Sequence, residues 1–365
     1  MKIVDVTLTA FSYGDPEPGL WNGIIGYPPR PRRKGFSRLT VTTDDGAVGM
    51  APGPGPNRAL IEQLAAVVTG QDPLAADALW QRMYQGNWRK PVAKGEHIRA
   101  MSAIDNALWD LRGTVTGQPA WKLLGGAQRE LPAYAAGGYY QEGKGLPELA
   151  AEAAGAVELG FRAVKMKIGW SGVTLHHDAE RVRAVRDAIG ADVDLMIDAN
   201  NAWDFATALR FARLVERCEP YWFEEPVHAD DVQGSAALAH AQPIPIASGE
   251  NEFTRWGFRD LIDARAAHYI QADPNVCGGL TEWVKIAAYA GAHHLPMAPH
   301  GDAHLGAVAV ASVTNGLIVE MGPALLSDEL IAPPEFRNGR IVMSDRPGLG
   351  IEWNEELIER LTPRG

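Results

Sequence analysis

The chain has 365 residues, 46% hydrophobic and 22% charged, with a formal net charge of −11. This is ordinary globular composition, long enough to bury a substantial core and to form one large domain or two unequal ones. The acidic balance argues against nucleic acid, which needs a basic face, and no apolar run approaches the length of a membrane span. The two cysteines, Cys218 and Cys277, lack paired spacing, and the N-terminus lacks a basic segment followed by an apolar one. A reducing, cytoplasmic setting without a secretory signal is therefore expected.

Lys2 to Phe11 and Phe36 to Thr43 alternate and read as strands, the second ending in the turn Asp44-Asp45-Gly46. Between them, Asp15 to Lys34 is too rich in Pro and Gly to read as helix or strand. Helical spacing follows, with Leu60, Leu64 and Val67 on one face and Ile98, Met101, Ile104, Leu108 and Leu111 on another. Gly117 and Gly125-Gly126 close this region, giving an expected α+β domain over residues 1–125.

Over residues 126–325 short apolar runs alternate with longer amphipathic stretches. The runs are Ala133 to Ala136, Ala163 to Ile168, Val193 to Ile197, Tyr221 to Phe223, Ile244 to Ala247, His268 to Ile270, Leu295 to Met297 and Leu317 to Val319. Eight strands with seven helical connections imply βαβ units and closure into a barrel. Residues 326–365 drop the alternation and are expected to return to the first domain.

The runs end in ionisable residues: Lys165 and Lys167 on the second, then Asp198, Glu224, Glu250, Asp273, His300 and Glu320. From Lys167 the spacings are 31, 26, 26, 23, 27 and 20 residues, each about one βα unit, so the groups form a ring at the C-terminal ends of the strands. One acidic residue after a strand is usually a helix cap. A ring of them is poorly explained that way, and Glu is not a favoured cap. Asp198, Glu224 and Glu250 come from consecutive strands, and three converging carboxylates call for a cation. Hard oxygen ligands without Cys or His suit Mg²⁺, with Mn²⁺ satisfying the same argument. Lys165 and Lys167, two apart on a strand, share the interior face. Their mutual repulsion, with a cation nearby, should depress their pKa values and make a base. Asp273 beside His300 would orient the ring.

This order of residues resembles the mandelate racemase subgroup of the enolase superfamily (the mandelate racemase/muconate lactonizing enzyme family), most closely its acid sugar dehydratases. Supporting segments are Ile104-Asp105-Asn106-Ala107-Leu108-Trp109-Asp110-Leu111, Leu123-Leu124-Gly125-Gly126 and Trp222-Phe223-Glu224-Glu225-Pro226. The resemblance spans nearly the whole chain. It implies an α/β fold, a modified (β/α)7β TIM barrel under an α+β capping domain built from the N-terminus and the C-terminal tail. It implies Asp198, Glu224 and Glu250 as ligands of Mg²⁺. It implies Lys167 as one base and the His300–Asp273 dyad as the other, Lys165 neutralising the substrate carboxylate and Glu320 donating a hydrogen bond to it. The chemistry implied is removal of the proton next to a carboxylate to give a metal-stabilised enediolate. Loss of water from a sugar acid, an aldonate or aldarate, would then yield a 2-keto-3-deoxy acid. A racemase or epimerase of a 2-hydroxy or amino acid, and a silent binding barrel, are the alternatives.

In the family the N-terminal loops cover the barrel mouth. Here that segment carries Trp21, Tyr27, Arg30, Arg32, Arg33 and Lys34, while Tyr139, Tyr140, Trp170 and Asn200 sit where the cavity should be, with Trp203 close by. Trp21, Tyr27, Tyr140, Trp170 and Asn200 are thus the expected substrate contacts. The expected partner is a small-molecule carboxylate, with neither nucleic acid nor membrane, in a homo-oligomer.

Overall fold

The computed structural model of the chain describes residues 1–17, 19–22, 32–53, 55, 57–86 and 93–362. The first strands are longer than the alternation suggests. β1 (Ile3–Glu17) and β2 (Arg32–Thr43) pair antiparallel, and β3 (Val48–Pro52) adds to the far edge of β2. Both arms run into the Pro/Gly-rich stretch, because backbone pairing continues past the hydrophobic pattern, with a register irregularity between Tyr13 and Glu17.

Three helices cover this sheet: α1 (Arg58–Val68), α2 (Ala76–Gln85) and α3 (Glu96–Thr116). The buried face of α1 is Ile61, Leu64 and Val68. It is rotated by about one residue from the expected Leu60–Leu64–Val67 face, since both stripes satisfy helical spacing and only packing selects one. On α3 the expected face is buried in full, and each of its large apolar side chains contributes about 1.5–3 kcal/mol. β3 crosses α3 so closely that a Cβ on Gly49 would lie 2.3 Å from the Ala107 carbonyl oxygen. A short α4 (Ala120–Leu123) leads out of this region.

The barrel strands are β4 (Glu130–Gly137), β5 (Ala163–Lys167), β6 (Asp194–Asp198), β7 (Trp222–Glu224), β8 (Ile246–Ser248), β9 (Tyr269–Ile270) and β10 (Val319–Met321). Their connecting helices are α5 (Leu146–Glu158), α6 (Leu175–Ile189), α7 (Phe205–Val215), α8 (Val232–Ala241), α9 (Thr254–Asp263), α10 (Leu280–Ala292) and α11 (Ala303–Ser312). Neighbouring strands from β4 to β9 pair in parallel, and β10 closes back on β4. The expected seventh strand, Leu295–Met297, is reduced to single bridges from Met297 to Ile270 and to Gly316. Four backbone hydrogen bonds still hold the segment, two to Ile270 from Pro296 and Ala298 and two from Met297 to Asn315 and Leu317. The interior of the barrel is filled by Tyr134, Ala163, Met196, Trp222, Ala247, Ala298 and Ile318.

The tail divides its contacts. β11 (Glu335–Arg337) and β12 (Arg340–Val342) form a hairpin, and β12 pairs antiparallel with the start of β4, on the barrel. Leu330, Ile331 and Ile358, the last from α12 (Glu355–Leu361), instead pack with Phe11 and Tyr13 of β1.

Candidate active site

Residues of the polar ring do not cap the barrel helices. Thr174, Asp204, Asp231 and Asp302 do that, each accepting a backbone N–H of the first turn of α6, α7, α8 or α11. The ring therefore turns inward. Asp198, Glu224 and Glu250 each bring a carboxylate oxygen within 4.8 Å of the others. Asp198 and Glu224 are wholly buried, and Trp222 Nε1 donates to Glu224 at 2.9 Å. Glu250 Oε2 is buried with no hydrogen-bond partner, although His300 Nε2 lies 3.4 Å away. An orphaned carboxylate oxygen facing two others is a donor set that fits a hard divalent cation.

Lys165 Nζ donates to Glu224 Oε1 at 2.5 Å and to Glu320 Oε2 at 3.1 Å, while Lys167 Nζ donates to Asp198. The lysines do not have the depressed pKa values expected of them. Burial pulls both down, and Lys165 pulls Lys167 down further. Glu224 and Glu320 around Lys165, and Asp198 beside Lys167, outweigh this and hold both above the ordinary range. The reason is that the lysines here pair with the very carboxylates that a cation would claim. Burial, with Asp198 and Glu250 nearby, pushes Glu224 up to about 8 despite Lys165.

Glu320 departs from expectation too. Burial raises its pKa, but Lys165, His300 and Lys167 bring it to about 2. In this arrangement it accepts, from Tyr134 OH at 2.8 Å and from Lys165, rather than donating. His300 Nδ1 stands 3.0 Å from Asp273 Oδ2. Burial lowers the imidazole pKa, yet Glu250, Glu320 and Asp273 raise it well above the ordinary value.

At the mouth, Trp21 exchanges two backbone hydrogen bonds with Tyr140, at 3.0 and 2.9 Å, and its ring meets Trp170 edge-on at 5.4 Å. The indole N–H groups of Trp21 and Trp170 are both buried without partners among the described residues, as is Asn200 Oδ1. Asn200 follows Asp198 with φ +43°, a left-handed position that Asn tolerates, and gives its N–H to Asp198 at 2.8 Å. Tyr140 commits its hydroxyl to Asp178 at 2.6 Å, so it serves as wall beneath Trp170. The Tyr139 ring centre lies 5.3 Å from Lys167 Nζ. Trp203 packs on Phe211 and Phe223, outside the barrel interior. Tyr27 and Arg30 lie outside the described residues, and Arg32 and Arg33 enter only as backbone of β2.

Sequence reasoning missed Tyr134, Trp222, Glu225 and Gln271. Tyr134 and Trp222 face inward on β4 and β7 and bond the ring carboxylates Glu320 and Glu224. Strand parity could have found them, but a buried aromatic reads first as core. Glu225 ties the loops after β6 and β8 by accepting from Asn201 at 2.5 Å and Asn251 at 2.9 Å. Gln271, two residues before Asp273, is wholly buried with neither amide atom bonded.

The chain is similar to known proteins over most of its length. Residues 32–125 match the mandelate racemase / muconate lactonizing enzyme N-terminal domain, and residues 148–357 match the enolase C-terminal domain-like family. An arabinonate dehydratase of Saccharolobus solfataricus is 36% identical over 81% of this chain and 80% of its own. A D-galactarolactone cycloisomerase of Agrobacterium fabrum is 33% identical over 89% of this chain and 91% of its own. The crystal structure of a racemase from Streptomyces coelicolor A3(2) with bound magnesium superposes with a TM-score of 0.87 at 30% identity, covering 99% of this chain and 100% of that one. The chain is an enzyme of the enolase superfamily and belongs to its mandelate racemase/muconate lactonizing enzyme family.

Proposed function

We propose that the enzyme is a Mg²⁺-dependent acid sugar dehydratase, taking an aldonate or aldarate to a 2-keto-3-deoxy acid. The observation that carries this is the placement of Lys167 and His300 at the ends of the second and seventh barrel positions, with Asp198, Glu224 and Glu250 on the strands between. Asp198, Glu224 and Glu250 would hold the cation, which would supply positive charge to offset the charge that gathers on the substrate carboxylate as the α-proton leaves. Relief of Lys167 from Asp198 lowers its pKa toward that of a working base. Lys165 meets the substrate carboxylate. Drawing Lys165 away from Glu320 removes the largest of the three charges that keep Glu320 ionised, raising its affinity for a proton shared with that carboxylate. His300, held as an imidazolium against Asp273, delivers its proton to the leaving β-hydroxyl.

The mouth supports a hydroxylated substrate. Two buried indole N–H donors and one amide oxygen without partners suit the hydroxyls of a sugar acid. The cycloisomerase relative favours a second reading, since the same bases acting on a lactone would perform its chemistry without releasing water. A panel of aldonates, aldarates and their lactones, supplied with Mg²⁺ and assayed for semicarbazide-reactive 2-keto acid, separates the two. Product from an open-chain acid supports the dehydratase, and product from lactones alone rejects it.

A further inference from the structure

α3 is polar where it meets the barrel. Ser102, Asp105 and Asn106 are wholly buried and, with Trp109, recur at the spacing of one helical stripe. All four bond the segment from Pro274 to Thr281, which is the loop before α10 and the first two residues of that helix. Ser102 Oγ accepts the Gly278 N–H at 2.9 Å. Asp105 accepts the Thr281 N–H at 2.8 Å and its hydroxyl at 2.7 Å. Asn106 donates to the Pro274 carbonyl at 3.1 Å and accepts the Leu280 N–H at 3.0 Å. Trp109 Nε1 donates to Thr281 Oγ1 at 2.8 Å. The approach is so close that a Cβ on Gly279, whose φ is +83°, would lie 2.5 Å from Asp105 Oδ2.

A buried polar network with these bonds made fixes position. Here it fixes the peptide next to Asp273, whose Oδ1 takes the Asn275 N–H at 2.7 Å and whose Oδ2 stands 3.0 Å from His300 Nδ1. Pro274, with its locked φ, gives the chain little freedom to absorb a shift between the Asn106 contact and Asp273.

We propose that Asn106 and Asp105 are positioning residues for the Asp273–His300 pair. α3 sets where the Asp273 carboxylate stands, and so the angle at which His300 holds its Nδ1–H against it. The capping domain is then part of the support of the proton donor as well as its cover. The catalytic consequence rests on the reading that His300 transfers a proton; the structural one does not.

The test follows the His300 Nδ1 proton by NMR in ¹⁵N-histidine-labelled, Mg²⁺-loaded full-length protein, assigned by its loss in His300→Asn. Asn106→Asp keeps size and an acceptor for Leu280 but loses the donor to Pro274. Thr281→Val removes the hydroxyl shared by Asp105 and Trp109. The expected result in either folded variant is a shifted Nδ1 signal, with solvent exchange of that proton about tenfold faster and unchanged Mg²⁺ affinity. Wild-type signals in the folded variants overturn the proposal. So does a loss of Mg²⁺ affinity that parallels the shift, which marks general loosening. If Asn106→Asp does not fold, Thr281→Val decides alone. Should His300→Asn keep full 2-keto acid formation, the dehydratase reading fails while the NMR result still decides the positioning role.

Discussion

Lys165 Nζ lies 2.5 Å from Glu224 Oε1, on a carboxylate that also faces Asp198 and Glu250. A lysine and a cation thus compete for one carboxylate. Binding of Mg²⁺ is expected to free the lysine for substrate, and removal of the cation should abolish activity through loss of both groups. Chelated enzyme should regain full rate on adding Mg²⁺. Glu250→Gln should weaken Mg²⁺ binding by about 10–100-fold or more, read by calorimetry.

Proton linkage gives a second test. Metal-free Glu224 titrates near 8, against 4.5 for an ordinary glutamate. The folded protein therefore holds a proton that the unfolded chain releases above about 4.5. The stability tied to that proton is complete below this pH and is lost as pH rises toward 8. Mg²⁺ must displace the same proton, so its affinity should climb about tenfold per pH unit up to about 8 and then level. Calorimetry in buffers of different ionisation enthalpy would show proton release at pH 7 and almost none at pH 9. Equal release at both would contradict the assignment.

The two proposed proton-transfer groups should separate. With an aldonate that the wild type dehydrates, His300→Asn should lose elimination by about 10²–10⁴-fold. If Lys167 abstracts the α-proton, that variant can still exchange it with D₂O, whereas Lys167→Ala should abolish exchange and retain Mg²⁺ binding. The reverse pattern assigns abstraction to His300. Wild-type dehydration by both variants would reject the two-base site.

Trp21 and Trp170 offer donors that nothing among the described residues accepts. Trp21→Phe should raise KM for a hydroxylated substrate about 5–10-fold, the worth of one buried hydrogen bond, with little change in kcat. A deoxy analogue lacking the paired hydroxyl should show a smaller penalty, and a double-mutant cycle of protein against substrate measures the coupling.

The ring of strand-end residues was legible because βα spacing places one such position every unit, and no shorter-range role explained Glu224 or Glu250. The conserved geometry of a parallel barrel also made most strands readable, down to the eighth. The seventh was read in its place at Leu295–Met297, but not how short its pairing is, because an apolar run carries no information about how far neighbours stay in register. The α1 face slipped for a similar reason: Leu60 and Ile61 are equally apolar, and only the sheet beneath distinguishes them. The lysine pKa values reversed because their sign depends on partners 31 to 155 residues away, invisible to local spacing. Asn106 was visible as part of a motif, but its grip on Pro274 spans 168 residues and appears only in the fold.

Phe11 and Tyr13 complete their cluster with Leu330, Ile331 and Ile358. During synthesis this makes the Phe11–Tyr13 end of β1 wait for much later residues, whereas Ile3, Val6 and Leu8 pack with α1 and α3. Tyr13 and its hydrogen-bond partner Asp328 are separated by 315 residues, about 15–60 s of translation at ordinary rates. The barrel strands between them find partners one unit apart and can assemble meanwhile. The Phe11–Tyr13 end of β1 is therefore sealed late, and those two rings are the surface a chaperone would have to shield.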